Sequence, residues 1–138
     1  MTTKRDLTLT FELSHPPAKV WRALTEPELL ARWLMQTNLQ TTIGHAFEFR
    51  RDPVGDWDGV VNCEVVEVEA PRTLSYTWRA LGVDTVVRWT LEPTATGTLL
   101  KLEQTGFDAD QRQAFAGARG GWNDMAGQVL PGVLAELD

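Results

Sequence analysis

The spacing of apolar residues changes once along this chain, near Gly106-Phe107, and that change limits the fold more than any motif does. Upstream, from Leu39 to Gln104, hydrophobic positions recur mostly every second residue between turn-forming residues, the mark of strands with one buried face. Downstream, Phe115, Ala118, Trp122, Met125, Val129, Val133 and Leu137 recur every three or four residues, the mark of a helix. A one-sided antiparallel sheet must cover its apolar face, and only this last segment is long enough to lie across several strands. The order predicts an α+β fold in which a curved antiparallel β-sheet wraps around a long C-terminal helix.

The N-terminal third adds one strand and two short helices. Leu7, Leu9, Phe11 and Leu13 alternate with Thr8, Thr10 and Glu12, giving a strand with one apolar face. Ser14-His15-Pro16-Pro17 ends it, because proline cannot donate to a sheet ladder but suits a helix's first turn. Val20, Trp21, Ala23 and Leu24 then mark a short helix. Thr25 with Glu28 three residues on reads as a capping box opening a second helix that carries Leu29, Leu30, Trp33 and Leu34.

Within the strand region, Phe47 and Phe49 share one face, as do Leu74, Tyr76 and Trp78, and Val83, Thr85, Val87, Trp89 and Leu91. Leu100 and Leu102 mark the last strand. Between Val60 and Val68 the apolar set changes phase, from Val61-Cys63-Val65 to Val66-Val68, which predicts a bulge or burial on both faces. Asp108 with Gln111 reads as the cap of the final helix, and Gly120-Gly121 and Pro131 as its weak points. The small residues of that helix limit how far it fills the interior, while Trp122 anchors it.

Composition narrows the function. A chain of 138 residues, 43% hydrophobic and 23% charged, has the size of one domain spanning 1–138. The net charge is −6 and the basic residues are scattered, so nucleic acid is not an expected partner. No apolar run approaches the roughly 18 residues of a membrane span. MTTKRDLTLTFEL lacks a signal peptide's apolar region, which predicts a soluble, cytoplasmic protein. Cys63 is the single cysteine and reads as a small buried hydrophobe, with no second thiol for a disulfide or zinc. His15 and His45 lack neighbours of metal-ligand type, and no nucleophile elbow or phosphate loop occurs; no metal or cofactor is expected.

The candidate ligand-binding residues are Phe47, Phe49, Glu64, Tyr76, Trp78, Arg88, Trp89, Trp122 and Met125. The aromatic set is sized for a core as much as for a pocket, and Tyr76 stands out because a phenol in apolar surroundings needs a hydrogen-bonding partner. Glu64 and Arg88 are candidates for an ion pair inside a cavity. Asn62, Glu64, Arg79, Arg88 and Gln104 otherwise read as solvated outer-face residues, since polar side chains are mostly exposed.

PPAKVWRALTEPELLARW, Gly44-His45-Ala46-Phe47-Glu48-Phe49, Asp58-Gly59, Leu74-Ser75-Tyr76-Thr77-Trp78, Thr98-Leu99-Leu100 and Gly121-Trp122, in that order, resemble the activator-of-Hsp90-ATPase homologue family of the START-like (SRPBCC, Bet v 1-like) superfamily. The resemblance spans nearly the whole chain and implies the helix-grip fold, with a deep hydrophobic pocket in many relatives. The co-chaperone that names the family carries a large additional N-terminal domain, whereas this chain begins at the first strand, so a chaperone partner is not expected.

Three functions fit. The leading one is binding of a small hydrophobic molecule, lipid, aromatic or polyketide-like, between sheet and long helix. The second is a cyclase- or hydratase-type enzyme in which Glu64, Tyr76 or His45 moves a proton. The third is an interaction protein, which an exposed apolar patch on the short helices or an edge strand would mark. A homodimer is compatible with any of them.

Overall fold

The computed structural model describes residues 4–137. Strand β1 (Arg5–Leu13) is followed by helices α1 (Pro17–Thr25) and α2 (Pro27–Trp33), then β2 (Gln36–Thr37), β3 (Ala46–Arg50), β4 (Val60–Glu69), β5 (Thr73–Ala80), β6 (Val83–Pro93) and β7 (Thr98–Phe107). The chain closes with α3 (Arg112–Asp124), a π-turn (Met125–Val129) and α4 (Leu130–Ala135). The seven strands form one curved antiparallel sheet in the order β1-β7-β6-β5-β4-β3-β2, so the first strand closes onto the last. This is the α+β helix-grip arrangement.

Strand parity decides what faces the helices. Val87, Trp89 and Leu91 on β6 and Leu100 and Leu102 on β7 are buried, while the residues between them are more exposed. The phase change in β4 is a bulge: the pairing Val65↔Tyr76 is followed by Glu67↔Ser75, and the extra residue, Val66, is 47% exposed. The bulge lets Val61, Cys63 and Val65 and, beyond it, Val68 all join the core side. At the β5–β6 connection, Leu81 and Gly82 take φ of 49° and 78° between the paired Ala80 and Val83. Positive φ at both positions suits the twist of a two-residue hairpin but strains a leucine.

Two helix-start readings are corrected. Thr25 does not cap α2: it is the last residue of α1 and its Oγ1 donates to the Trp21 carbonyl at 2.8 Å. Glu26 takes the cap position instead, with Pro27 supplying the first helical φ. The Asp108/Gln111 pair makes half of the expected exchange, with the Asp108 backbone N–H donating to Gln111 Oε1 at 2.9 Å. Gln111, rather than Asp108, immediately precedes the helix.

The C-terminal rod also departs from a single 3.6-residue pattern. Leu130 N–H bonds to the Met125 carbonyl, five residues back, and this π-turn inserts one extra residue into the spiral. The buried face therefore runs Trp122, Ala126, Leu130, Val133, Leu134, and Val129, expected inside, is exposed. α1 packs on β6 and α4, and α2 on β2, α4 and the π-turn. Trp33 holds this layer: its Nε1 donates to the Ala23 carbonyl at 2.8 Å, and its ring meets Trp89 edge-on at 5.9 Å.

Candidate functional site

A continuous set of aromatic contacts runs through the interior. Trp89 meets Trp122 edge-on at 5.3 Å, Trp122 meets Trp78 at 5.2 Å, and Trp78 meets Phe49 at 5.4 Å. Phe49, Phe47 and Tyr76 then contact one another at 5.4–5.7 Å. Such edge-on and tilted pairs add to what burial alone supplies. Trp89 Nε1 donates to the Tyr76 hydroxyl at 2.9 Å, and burial raises the Tyr76 pKa above its usual value.

Beside this network the sheet and the rod leave a space that opens to solvent. A cavity of about 620 Å³ lies between the first half of the C-terminal rod and the sheet. From α3, Ala114, Gly117, Ala118 and Gly121 form its helical wall, with the exposed Gln113 at the outer end and Trp122 and Met125 at the inner end. Strands β4 and β7 contribute Val61, Gln104 and Phe107. The β5–β6 hairpin contributes Trp78, Ala80, Leu81 and Val83, and Met35 and Trp57 close the far side. The glycine positions matter to the space: a Cβ at Gly117 would have no heavy atom within 4 Å outside its own helix backbone, and one at Gly121 would only touch Met125 Cε at 3.6 Å. Leu81, at the strained turn, is 66% exposed and belongs to the lining. Gln111 Nε2 donates to the Gly82 carbonyl at 3.0 Å and so ties that turn to the start of α3.

The one buried polar side chain in the lining is Gln104, 1% exposed. Trp122 Nε1 donates to its Oε1 at 2.8 Å, and its Nε2 donates to Thr85 Oγ1 at 3.0 Å. Thr85 in turn donates to the Trp78 carbonyl at 3.0 Å. An indole N–H only donates, so it holds the amide oxygen toward Trp122 and the amide nitrogen toward Thr85. Gln104 thereby links α3, β7, β6 and β5 at the cavity's edge.

Of the residues singled out in the sequence, Trp78, Trp122 and Met125 line this cavity. Phe47, Phe49, Tyr76 and Trp89 lie in the closed aromatic core beside it. Glu64 and Arg88 are elsewhere: both are exposed on the outer face, and Arg88 Nε donates to Glu67 Oε1 at 3.2 Å instead of pairing with Glu64. Parity is the reason, because their chain neighbours Cys63, Val65, Val87 and Trp89 occupy the inner face. Gln104 is the opposite correction, buried where an outer position was expected. Its two-residue spacing from Leu100 and Leu102 was the signal that placed it inside. Met35, Trp57 and Phe107 join the lining through contacts distant in sequence and had no local signal.

His45 stacks on Phe47, half-exposed, with its Nε2 3.3 Å from the Asn38 carbonyl oxygen, and does not reach the cavity. Cys63 is buried, and desolvation pushes its thiol pKa up to about 12. The residues that line the cavity include no carboxylate, imidazole, amine or guanidinium. Among the described residues, no group of three or more His, Cys, Asp or Glu side chains is placed to hold a metal ion, and no helix is long and apolar enough to cross a membrane.

Residues 14–135 match the family described as Activator of Hsp90 ATPase homolog 1-like protein. The chain belongs to this family. Protein MLL2253 from Mesorhizobium loti is 42% identical and superimposes with a TM-score of 0.87 over 97% of this chain and 99% of that one. Protein BH1534 from Bacillus halodurans is 26% identical with a TM-score of 0.81, again over 97% and 99%. CalU16 from Micromonospora echinospora, 23% identical, shares the fold with a TM-score of 0.74 over 98% of this chain and 78% of its own. No curated protein sequence matches significantly. In this member of the Hsp90-activator-like family, the space between sheet and rod is the feature on which a function can be built.

Proposed function

We propose that the protein binds a small hydrophobic molecule, lipid, aromatic or polyketide-like, in the cavity between α3 and the sheet. The observation that carries this reading is the cavity itself: about 620 Å³, walled almost wholly by apolar side chains and by a helix face with no side chain at Gly117 or Gly121. That volume lies within the roughly 300–1,000 Å³ of small-molecule sites. The enzyme reading has less support, since Glu64 and His45 lie outside the cavity and Tyr76 is engaged by Trp89 in the closed core. A docking surface has less too: the large exposed apolar residues, Ile43, Val54, Val66, Leu81 and Val129, are dispersed over loops, a bulge, a turn and the rod.

The test is thermal unfolding in the presence of a library of fatty alcohols, fatty acids and polycyclic aromatics, alongside the variant Gly117→Leu. Ligands that bind the native state raise Tm with concentration. A leucine at 117 projects into open space and should remove that response without unfolding the domain. A library that leaves the wild-type Tm unchanged throughout refutes the proposal.

A further inference from the structure

Gln104 carries more hydrogen-bonding capacity than the protein uses. Its Nε2 has two hydrogens, and Thr85 Oγ1 takes one of them. The Thr85 hydroxyl is itself committed to the Trp78 carbonyl, so it acts toward Gln104 as an acceptor. Trp122 holds Oε1, which prevents the amide from flipping. The second Nε2 hydrogen has no protein acceptor among the described residues, on a side chain that is 1% exposed and lines the cavity. Among the described residues no buried side-chain nitrogen or oxygen lacks a partner, and Nε2 has its own in Thr85, so the second hydrogen is spare capacity that a ligand oxygen in the cavity can take up.

The rest of the lining narrows what that ligand is. Without an ionisable side chain there, a charged ligand would lose its hydration and gain no counter-charge. Trp57, Trp78, Phe107 and Trp122 present aromatic surface, and the flat Gly117–Gly121 wall lets a planar ring approach the helix closely.

We propose that Gln104 is the specificity-determining residue of the cavity: its free Nε2 hydrogen binds a carbonyl or other neutral acceptor oxygen on an uncharged aromatic ligand. The inference rests on the cavity-binding reading above and adds to it a donor, its orientation and the ligand's charge.

Three probes of one size separate these claims: 2-acetylnaphthalene, neutral with an acceptor; 2-ethylnaphthalene, neutral without one; and 2-naphthoate, an anion. Affinities are measured by titration of the wild type and of Gln104→Leu. In the wild type, 2-acetylnaphthalene should bind about fivefold more tightly than 2-ethylnaphthalene, the ratio one net hydrogen bond supplies, and 2-naphthoate at least about tenfold more weakly than the ketone, a lower bound set by an unpaired buried charge. Gln104→Leu should bring the ketone-to-hydrocarbon ratio close to one. Because that variant also strips Trp122 of its acceptor, the wild type gives an independent readout: one of the two Gln104 side-chain amide proton resonances should move downfield with the ketone and stay in place with the hydrocarbon. Equal binding of ketone and hydrocarbon, or an unmoved Gln104 amide with the ketone bound, overturns the role of Gln104 and leaves cavity binding intact. Preference for 2-naphthoate overturns the neutral-ligand claim. Failure of all three probes to bind, together with an unresponsive Tm across the wider library, overturns the cavity reading itself.

Discussion

The indole nitrogen of Trp89 donates to the hydroxyl of Tyr76 at 2.9 Å, joining β6 to β5 inside the aromatic core. Both side chains are fully buried, so neither group has water as a fallback partner. Tyr76→Phe should lower unfolding free energy by about 1–3 kcal/mol, the cost of an unsatisfied buried donor. Trp89→Phe should cost more, because it also removes part of the ring that touches Trp33 and Trp122. In a double-mutant cycle by urea denaturation, the pair should lose less than the sum of the single losses, and strict additivity would show that the bond contributes nothing.

Leu81 holds a positive φ at the mouth of the cavity, a conformation that costs a leucine about 1–2 kcal/mol and suits asparagine before glycine. Leu81→Asn should therefore raise stability by about 1 kcal/mol, or roughly 3 °C in Tm. The same change removes apolar lining and should weaken binding of a neutral aromatic. A variant that gains stability without losing affinity would separate the turn from the site.

Gly59 combines a φ of +86° with close approach to its neighbour: an added Cβ would lie 2.1 Å from the Arg51 carbonyl oxygen. Gly59→Ala should destabilise by about 2–4 kcal/mol, through left-handed strain and displacement of the segment that joins β3 to β4. Chemical denaturation measures this directly, and a loss below about 0.5 kcal/mol, ordinary for a surface site, would contradict the geometry.

Burial lifts the Cys63 thiol from an ordinary 9.0 to about 12 and raises the Tyr76 hydroxyl above its ordinary 10.0. Between those limits the folded chain keeps protons that the unfolded chain releases, so stability must fall as pH rises. The contribution is whole below about pH 9 and is lost progressively toward pH 12. Urea midpoints should stay level through neutral pH and drop above about 9, with a shallower drop in Cys63→Ala. The native thiol should also resist iodoacetamide at neutral pH, reacting only as the domain opens.

How much of this was legible in the sequence depended on whether the determining interaction was local. The inward faces of β6 and β7 follow from alternation, because those strands bury one row of side chains, whereas β5 buries Thr73, Leu74, Ser75 and Tyr76 in succession and its alternation shows only the apolar row. The β4 bulge announced itself as a phase break, but which residue was extra depended on pairing with β5. The Glu64–Arg88 pairing failed for a similar reason: Glu67 meets Arg88 across Ser75, a neighbour relation set by strand register. The π-turn was hidden because spacings of three and four fit both Val129 and Leu130, and only a slipped backbone hydrogen bond chooses between them. The small residues of α3 hinted at open space. Its walls required Met35, Trp57 and Phe107, brought together from three separate segments.

That slipped turn has a further consequence for how the domain can change over time. Upstream of it, Ala114, Gly117, Ala118 and Gly121 face the hollow; downstream, the helix that buries Leu130, Val133 and Leu134 packs on α1 and α2. The extra residue sets a fixed angular offset between the two stretches, so substitutions at Gly117, Ala118 or Gly121 would reshape the hollow without touching the buried row that anchors the end of the rod.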